Sequence, residues 1–544
     1  MRSPSIFATL VLTIVTATNS RAEPLVVFQT KPINELITIG NTTNRSVSQL
    51  MAKLNADDKR ASPNLAQAII DFFAQNLTDD WDKTIDATRP ILGYVEYHID
   101  APEFSPAHLL IPMKGTPEQI KRFLDRVATV GDEEDGIFPI TLGGNWRTHG
   151  RIANKTLYLA LSNLESFKVA PLEDPTKLIA PLGDQVLAFR AYPSRLPPVL
   201  KQIIQFAWDG AMEQAMRQAD NDPLSLLPKA VKELQKQWIR RFMGAMLDIV
   251  KEGDVVSLGL LLEPKTNELG FEIQLSARNG TALAKSLTDT PRYASSIAGI
   301  AEGNPAAQLM FNLPIPNEIA RVFEESIKSG FEEQNAPTDE ERAEFEKTLK
   351  AVRPTLRSGY LQIGAGLHRS KKGYTTVGGI ALKNGSALEK MFRDSKPSEG
   401  LFTLDVDRAE GFAIHSFSPP DGSLDSAEAL FGDEPILFAF RKDAIMFAYG
   451  FDAKSQLVKA LKSPARTSSQ VEIGTSIREL LPLLKMQDGA NSKLFDTLIG
   501  LGIDKMSILK IDWQGGKTLR FRATTDAWQL FLALGIGYRS EQID

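Results

Sequence analysis

Apolar runs of strand length, closed by turn residues, alternate along this chain with longer stretches of helical period, and the order of these elements repeats. Strands are predicted at 255–263 and 269–277, joined by the turn Lys265-Thr266-Asn267, and again at 358–367 and 374–382 around a turn at 369–373. Each hairpin follows another strand and a long helical stretch: 185–192 before 196–250, and 307–313 before 319–352. Each also ends in the same corner, Asn279-Gly280-Thr281 and Asn384-Gly385-Ser386. Gly tolerates the backbone angles of a strand-to-helix corner, and a Ser or Thr hydroxyl can accept a bond from an unpaired amide of the first helical turn. The repeated unit is strand, helical insert, hairpin, helix.

Two weaker copies flank this pair. The first has a strand at 25–30, helices within 47–81, strands at 91–98 and 108–113, and a helical start at 114–121. The last has a strand at 470–474, helices within 476–499, strands at 506–513 and 518–523, and a helical run at 525–530. A different module separates first from second and third from fourth. Its copies are strands 138–142, 147–152 and 156–161 with a helix at 162–169, and strands 402–406, 411–417, 436–440 and 444–449 with a helix at 453–461. The expectation is an α+β fold of two homologous halves, 23–290 and 305–544, joined by a linker at 291–304, each of antiparallel sheets with helices packed on one face. Nearly continuous apolar strands such as 255–262 should be buried on both faces and sit centrally. A groove between duplicated halves is the expected place for a ligand.

The N-terminus adds a location. Arg2 precedes an apolar run at 6–17, and Ser20-Arg21-Ala22 offers the small residues that a signal peptidase reads, so residues 1–22 are expected to be an export signal cleaved after Ala22. That run is too short to be read first as a membrane span, and no transmembrane span is expected after cleavage. The chain has no cysteine, which removes disulfides, thiolate metal sites and cysteine nucleophiles, and leaves a large extracytoplasmic protein to be held by its cores. Apolar residues make up 43% of 544, enough for several of them. Losing Arg2 and Arg21 lowers the basic count from 62 to 60 against 67 acidic residues, a charge near −7 that argues against a nucleic-acid partner.

The densest basic run, 229–241, lies on a predicted helix whose other row is Leu234, Trp238, Phe242, Met246 and Val250. That pattern describes a helix packed on a sheet or on the neighbouring helical stretch 200–216, and also an interfacial membrane helix. The acidic run 339–346 follows Thr338, which with Glu341 forms the signature of a capping box and an exposed helix start.

Candidate chemistry is sparse. The histidines His98, His108, His149, His368 and His415 have no metallopeptidase spacing, and no metal or cofactor is expected. His98 lies near Asp100. His415 could approach His98 or the pair Asp405 and Asp407, whose alternation would put both carboxylates on one strand face, as a cation site requires, or simply at a polar edge. There is no Gly-x-Ser-x-Gly and no phosphate loop. Gly143-Gly144-Asn145-Trp146 is either a tight turn or a loop that offers an aromatic ring for stacking.

The export signal, the cysteine-free composition and the repeated units resemble the large uncharacterised exported proteins of planctomycete-like bacteria. That resemblance covers the whole chain and implies no ligand or catalytic residue. The leading functional expectation is a non-enzymatic binding or scaffolding protein of the periplasm or cell envelope, with an envelope component or another protein as partner. The alternatives are an extracytoplasmic hydrolase built around His415 and Asp405, and a carrier of an apolar ligand lined by Phe206, Met212, Trp238, Phe242, Met243 and Met246.

Overall fold

The computed structural model describes residues 23–42, 81–98, 106–142, 146–161, 172–221, 229–263, 268–288, 294–303, 305–314, 338–394, 400–420, 425–467, 469–476 and 509–526, with runs of one to three residues between them. The expected signal at 1–22, the helices expected within 47–80, 162–166 and 484–499, Asp100, and the loop 143–145 lie outside the described residues. The chain forms two compact units: Met1–Asn44 with Pro63–Leu200 and Val255–Leu260, and Arg45–Ser62 with Lys201–Asp254 and Leu261–Asp544.

The first unit holds β1 (Val26–Pro32), β2 (Pro90–Val95), β3 (Ala107–Pro112), α1 (Pro117–Val127), β4 (Thr129–Val130), β5 (Ile137–Leu142), β6 (Trp146–Ala153), β7 (Thr156–Ala160) and β8 (Gln185–Ala191). All pairs are antiparallel, in the order β4-β5-β6-β7-β3-β2-β1-β8. Helix α1 starts at Thr116, whose hydroxyl accepts from the Gln119 amide while the Gln119 side chain accepts from the Thr116 amide. This reciprocal box satisfies two amides that the first turn would leave unpaired. Ile120, Phe123 and Leu124 then pack on Phe138, Ile140, Leu157 and Leu159. Every residue of β7 is buried, because its other face, at Tyr158 and Ala160, packs with Phe167 and Leu178. The first unit therefore has core on both sides of β7, beyond the single covered face expected.

In the second unit the long helices α2 (Pro198–Asn221, all but its first turn) and α3 (Lys229–Glu252) are followed by β9 (Gly253–Glu263), which is divided between the units, then β10 (Glu268–Ala277) and α4 (Ala282–Thr288). Next come β11 (Ala294–Ser295), β12 (Ala307–Pro314), α5 (Asp339–Leu356), β13 (Tyr360–Arg369), β14 (Tyr374–Ala381), α6 (Gly385–Asp394), β15 (Phe402–Ala409), β16 (Phe412–Phe417), β17 (Ile436–Arg441) and β18 (Ala444–Gly450). The chain continues through α7 (Ala453–Lys462), β19 (Arg466–Thr467), β20 (Val471–Thr475), β21 (Lys510–Gln514) and β22 (Thr518–Thr525). Eleven of these strands pair antiparallel in the order β15-β16-β17-β18-β14-β13-β12-β20-β21-β22-β10. The first eight places match the order in the first unit, with β12, β13, β14 and β20 standing where β1, β2, β3 and β8 stand there.

The core of the second unit joins Met310, Val377, Ile414, Ala439 and Met446 from the sheet to Leu457 and Leu461 of α7 and to Ile297 and Ile300. The last two lie in the segment read as a linker, yet both are completely buried. Polar groups of β13 hold that segment down. The Gln362 side chain accepts from the Ser296 amide at 3.2 Å and donates to the Ala294 carbonyl at 3.2 Å, and His368 Nε2 donates to the Ile300 carbonyl at 2.8 Å. Its Pro, Ser and Gly content reads as a connector, whereas its two isoleucines have a core to enter.

The capping box at the start of α5 forms as its sequence requires: the Thr338 amide donates to Glu341 at 2.7 Å and the Glu341 amide donates to Thr338 at 3.3 Å. The two Asn-Gly corners share less physics than sequence. Gly280 has φ +80°, and the Thr281 hydroxyl accepts from the Ala284 amide at 3.2 Å. Gly385 is instead the first residue of α6, and a Cβ there would run into the Arg441 carbonyl. One glycine serves a left-handed turn and the other a close approach of backbones.

Strand β9 departs from the expectation for its apolar run. Ser257, Gly259 and Leu261 are buried, while Leu258 is 47% and Leu260 41% exposed. It alternates, so only one of its faces is fully covered.

Candidate functional site

His415 on β16 is fully buried and is the nearest approach to a catalytic arrangement anticipated in the sequence. Its Nδ1 accepts the Asp405 amide at 3.2 Å, so the ring proton sits on Nε2, which lies 3.6 Å from Glu389 Oε1 without forming a hydrogen bond. Arg393, one turn after Glu389 on α6, binds Glu389 and grips both oxygens of Asp405 at 2.5 and 2.7 Å. These charge-assisted bonds hold the Asp405 carboxyl below its ordinary range. Burial, with help from the Arg393 charge, pushes the His415 imidazole below its usual value. The ring is walled by Phe438 at 5.3 Å and by Phe392 and Phe440 at 6.1 Å between centroids.

The path of β15 explains the arrangement. Its register with β16 shifts between Thr403 and Asp407, and Asp405 has φ +54°, a left-handed conformation that costs energy outside glycine. The bulge breaks the alternation that was expected to align Asp405 with Asp407. Asp407 instead binds Lys454 of α7, apart from the Arg393 cluster. Among the described residues no group of acidic and histidine side chains is placed to hold a metal ion. What the cluster does physically is pin a strained bulge onto α6, with the basic nitrogen of His415 spent on the Asp405 amide.

The other histidines are scattered. His98 Nε2 is 3.2 Å from the buried Glu96 carboxylate. His108 is 1% exposed and lies between Tyr94 and Phe167, with centroids 5.2 and 4.8 Å away. Burial brings its pKa down to about 4. His149 is on β6 and His368 is spent on the Ile300 carbonyl.

A larger feature emerges from the register of the second unit. Ile273, Phe521, Trp513, Val471, Phe311, Ile363, Ile380 and Ile445 are successive cross-strand partners from β10 to β18. A parallel row runs through Phe271, Ala523, Ile511, Ile473, Leu309, Ala365, Gly378 and Phe447. Directly opposite residues share a face, so two adjacent rows form one apolar band across eight strands. Phe271, Ile273, Leu309, Ile363, Ile380, Phe447 and Trp513 are each 36–42% exposed. Gly378 belongs to the band because a Cβ there would strike the Phe447 ring. Aromatic side chains carry about 150–250 Å² each, so the exposed parts add up to roughly 500 Å², at the upper end of what monomeric proteins leave open.

The opposite face of the same strands is polar at the β20 end. Gln308, Glu472, Lys510 and Asp512, with Arg478 and Glu479, line a cleft of about 660 Å³. Its charges are largely engaged nearby: Lys510 with Glu268 and Asp526, and Asp512 with Ser469 and Gln514. The apolar band was missed in the sequence because alternation marks two faces without saying which is covered; the signal was there in Leu309/Phe311, Phe271/Ile273 and Ile511/Trp513.

Compared with known proteins, the chain matches no family model, no curated protein and no solved structure.

Proposed function

We propose that this chain is an exported, non-enzymatic binding protein of the cell envelope that uses the apolar band of its second unit to hold an apolar ligand. The observation that carries the reading is the two-row band from β10 to β18, open at seven large side chains. Burying such side chains is worth about 25 cal/mol per Å² removed from water, so a ligand covering the band would gain substantially without any polar contact. The same band also favours an apolar cargo over the polar substrate of a hydrolase, since the buried His415 faces phenylalanines and Glu389 rather than a cleft.

One experiment covers both parts of the proposal. The full chain, expressed in a bacterium and gently extracted from the periplasm, should begin at Glu23 and carry extra mass in native mass spectrometry. It should also bind an environment-sensitive apolar dye, and Ile273→Lys or Ile363→Lys should weaken dye binding about tenfold while leaving the urea midpoint nearly unchanged, because both positions are more than a third exposed. Undiminished dye binding by both variants would sink the role of the band, and a cytosolic chain still starting at Met1 would sink the export.

The shared strand order of the two units also supports descent of the halves from one ancestor by duplication. The eight equivalent strands should then superpose with their inserts at the same places; divergent strand curvature or insert positions would count against it.

A further inference from the structure

We propose that the helical hairpin of α2 and α3 docks on the surface of an anionic lipid bilayer. The hairpin is a built element: Trp208 Nε1 donates to the Met243 carbonyl at 2.8 Å, tying one helix to the other at mid-length. Its side chains nevertheless put large apolar groups in water. Phe206 is 83% exposed, Phe242 59% and Ile203 57%. These exceed every other exposed large apolar side chain among the described residues. Ile203 and Phe206 are three apart and so occupy neighbouring positions on one side of α2.

Charge selects the kind of surface. The chain as a whole is acidic, with 67 Asp and Glu against 62 Lys and Arg, but α3 reverses the balance with Lys229, Lys232, Lys236, Arg240, Arg241 and Lys251 against three acidic residues. Arg240 and Arg241 are exposed immediately beside Phe242. Phe242 adjoining two guanidinium groups in α3, with Ile203 and Phe206 exposed on α2, suits the boundary between acyl chains and anionic headgroups. No described helix is long and apolar enough to cross a membrane, so the contact is interfacial. It depends on the hairpin and not on the sheet band, and either can fail alone.

Flotation of the mature full-length chain with vesicles provides the test, comparing phosphatidylcholine alone with phosphatidylcholine mixed with phosphatidylglycerol. The protein should float with the mixed vesicles, and added salt should weaken the association. Each basic residue at an anionic surface contributes roughly a fivefold gain in partition, so Arg240→Glu with Arg241→Glu should lower it at least about twentyfold. Phe206→Ser should also release the protein while leaving its near-ultraviolet circular dichroism unchanged, since that ring is mostly in water. Absence of flotation, flotation indifferent to phosphatidylglycerol, or an unaffected Phe206→Ser would each overturn the proposal. So would concentration-dependent self-association abolished by Phe206→Ser, which would assign the patch to a second copy of the chain.

Discussion

Ile300→Ala is expected to lower the stability of the second unit by about 3 kcal/mol, within the 2–5 kcal/mol that truncating a buried isoleucine costs. The residue is completely buried among Ile297, Met310, Val377 and Leu457, and its carbonyl is the acceptor for His368. The substitution removes three carbons where neighbouring strands and α7 cannot easily close the gap. Urea unfolding followed by fluorescence gives the check. A loss below about 0.5 kcal/mol, the level of an ordinary surface change, would mean that 291–304 is the connector its composition suggests.

The second large effect is acid lability centred on His108. Its pKa is about 4 in the folded chain and about 6.5 when unfolded, because burial between Tyr94 and Phe167 disfavours the charged ring. Between those values the unfolded state binds more protons, so stability rises with pH in that window. The contribution is fully present above pH 6.5, is lost as pH falls toward 4, and amounts to about 3 kcal/mol. His368 and His415 are shifted in the same direction by burial, so the test is a difference. His108→Phe should flatten the stability profile between pH 6.5 and 4 relative to the parent chain. An unchanged slope would show that the ring is not held neutral by its surroundings.

Local physics made much of the architecture legible. The hairpins 255–263/269–277 and 358–367/374–382 appear as β9/β10 and β13/β14 within a few residues, because turn residues and period-two apolar runs act over short distances. The Thr338 capping box was equally readable, since all its parts lie within one helical turn. The fate of Ile297 and Ile300 was not, because two isoleucines in a Pro- and Gly-bearing stretch do not announce which strands will receive them. Nor was the His415 cluster fully readable. The approach to Asp405 follows from the β15/β16 pairing, but Arg393 and Glu389 come from a helix, and the bulge that turns Asp405 away from Asp407 is a property of the pairing itself.

By itself the sequence determined the kinds of elements, their order, the lack of disulfides and the acidic balance, all of which follow from residue type and near-neighbour spacing. Only the tertiary structure decided which face of each strand is covered, because register over eight strands brings together residues more than 250 positions apart, as Phe271 beside Ala523. The apolar band and the buried segment at 297–300 both arise there: alternation creates two faces in every strand, and long-range packing chooses between them.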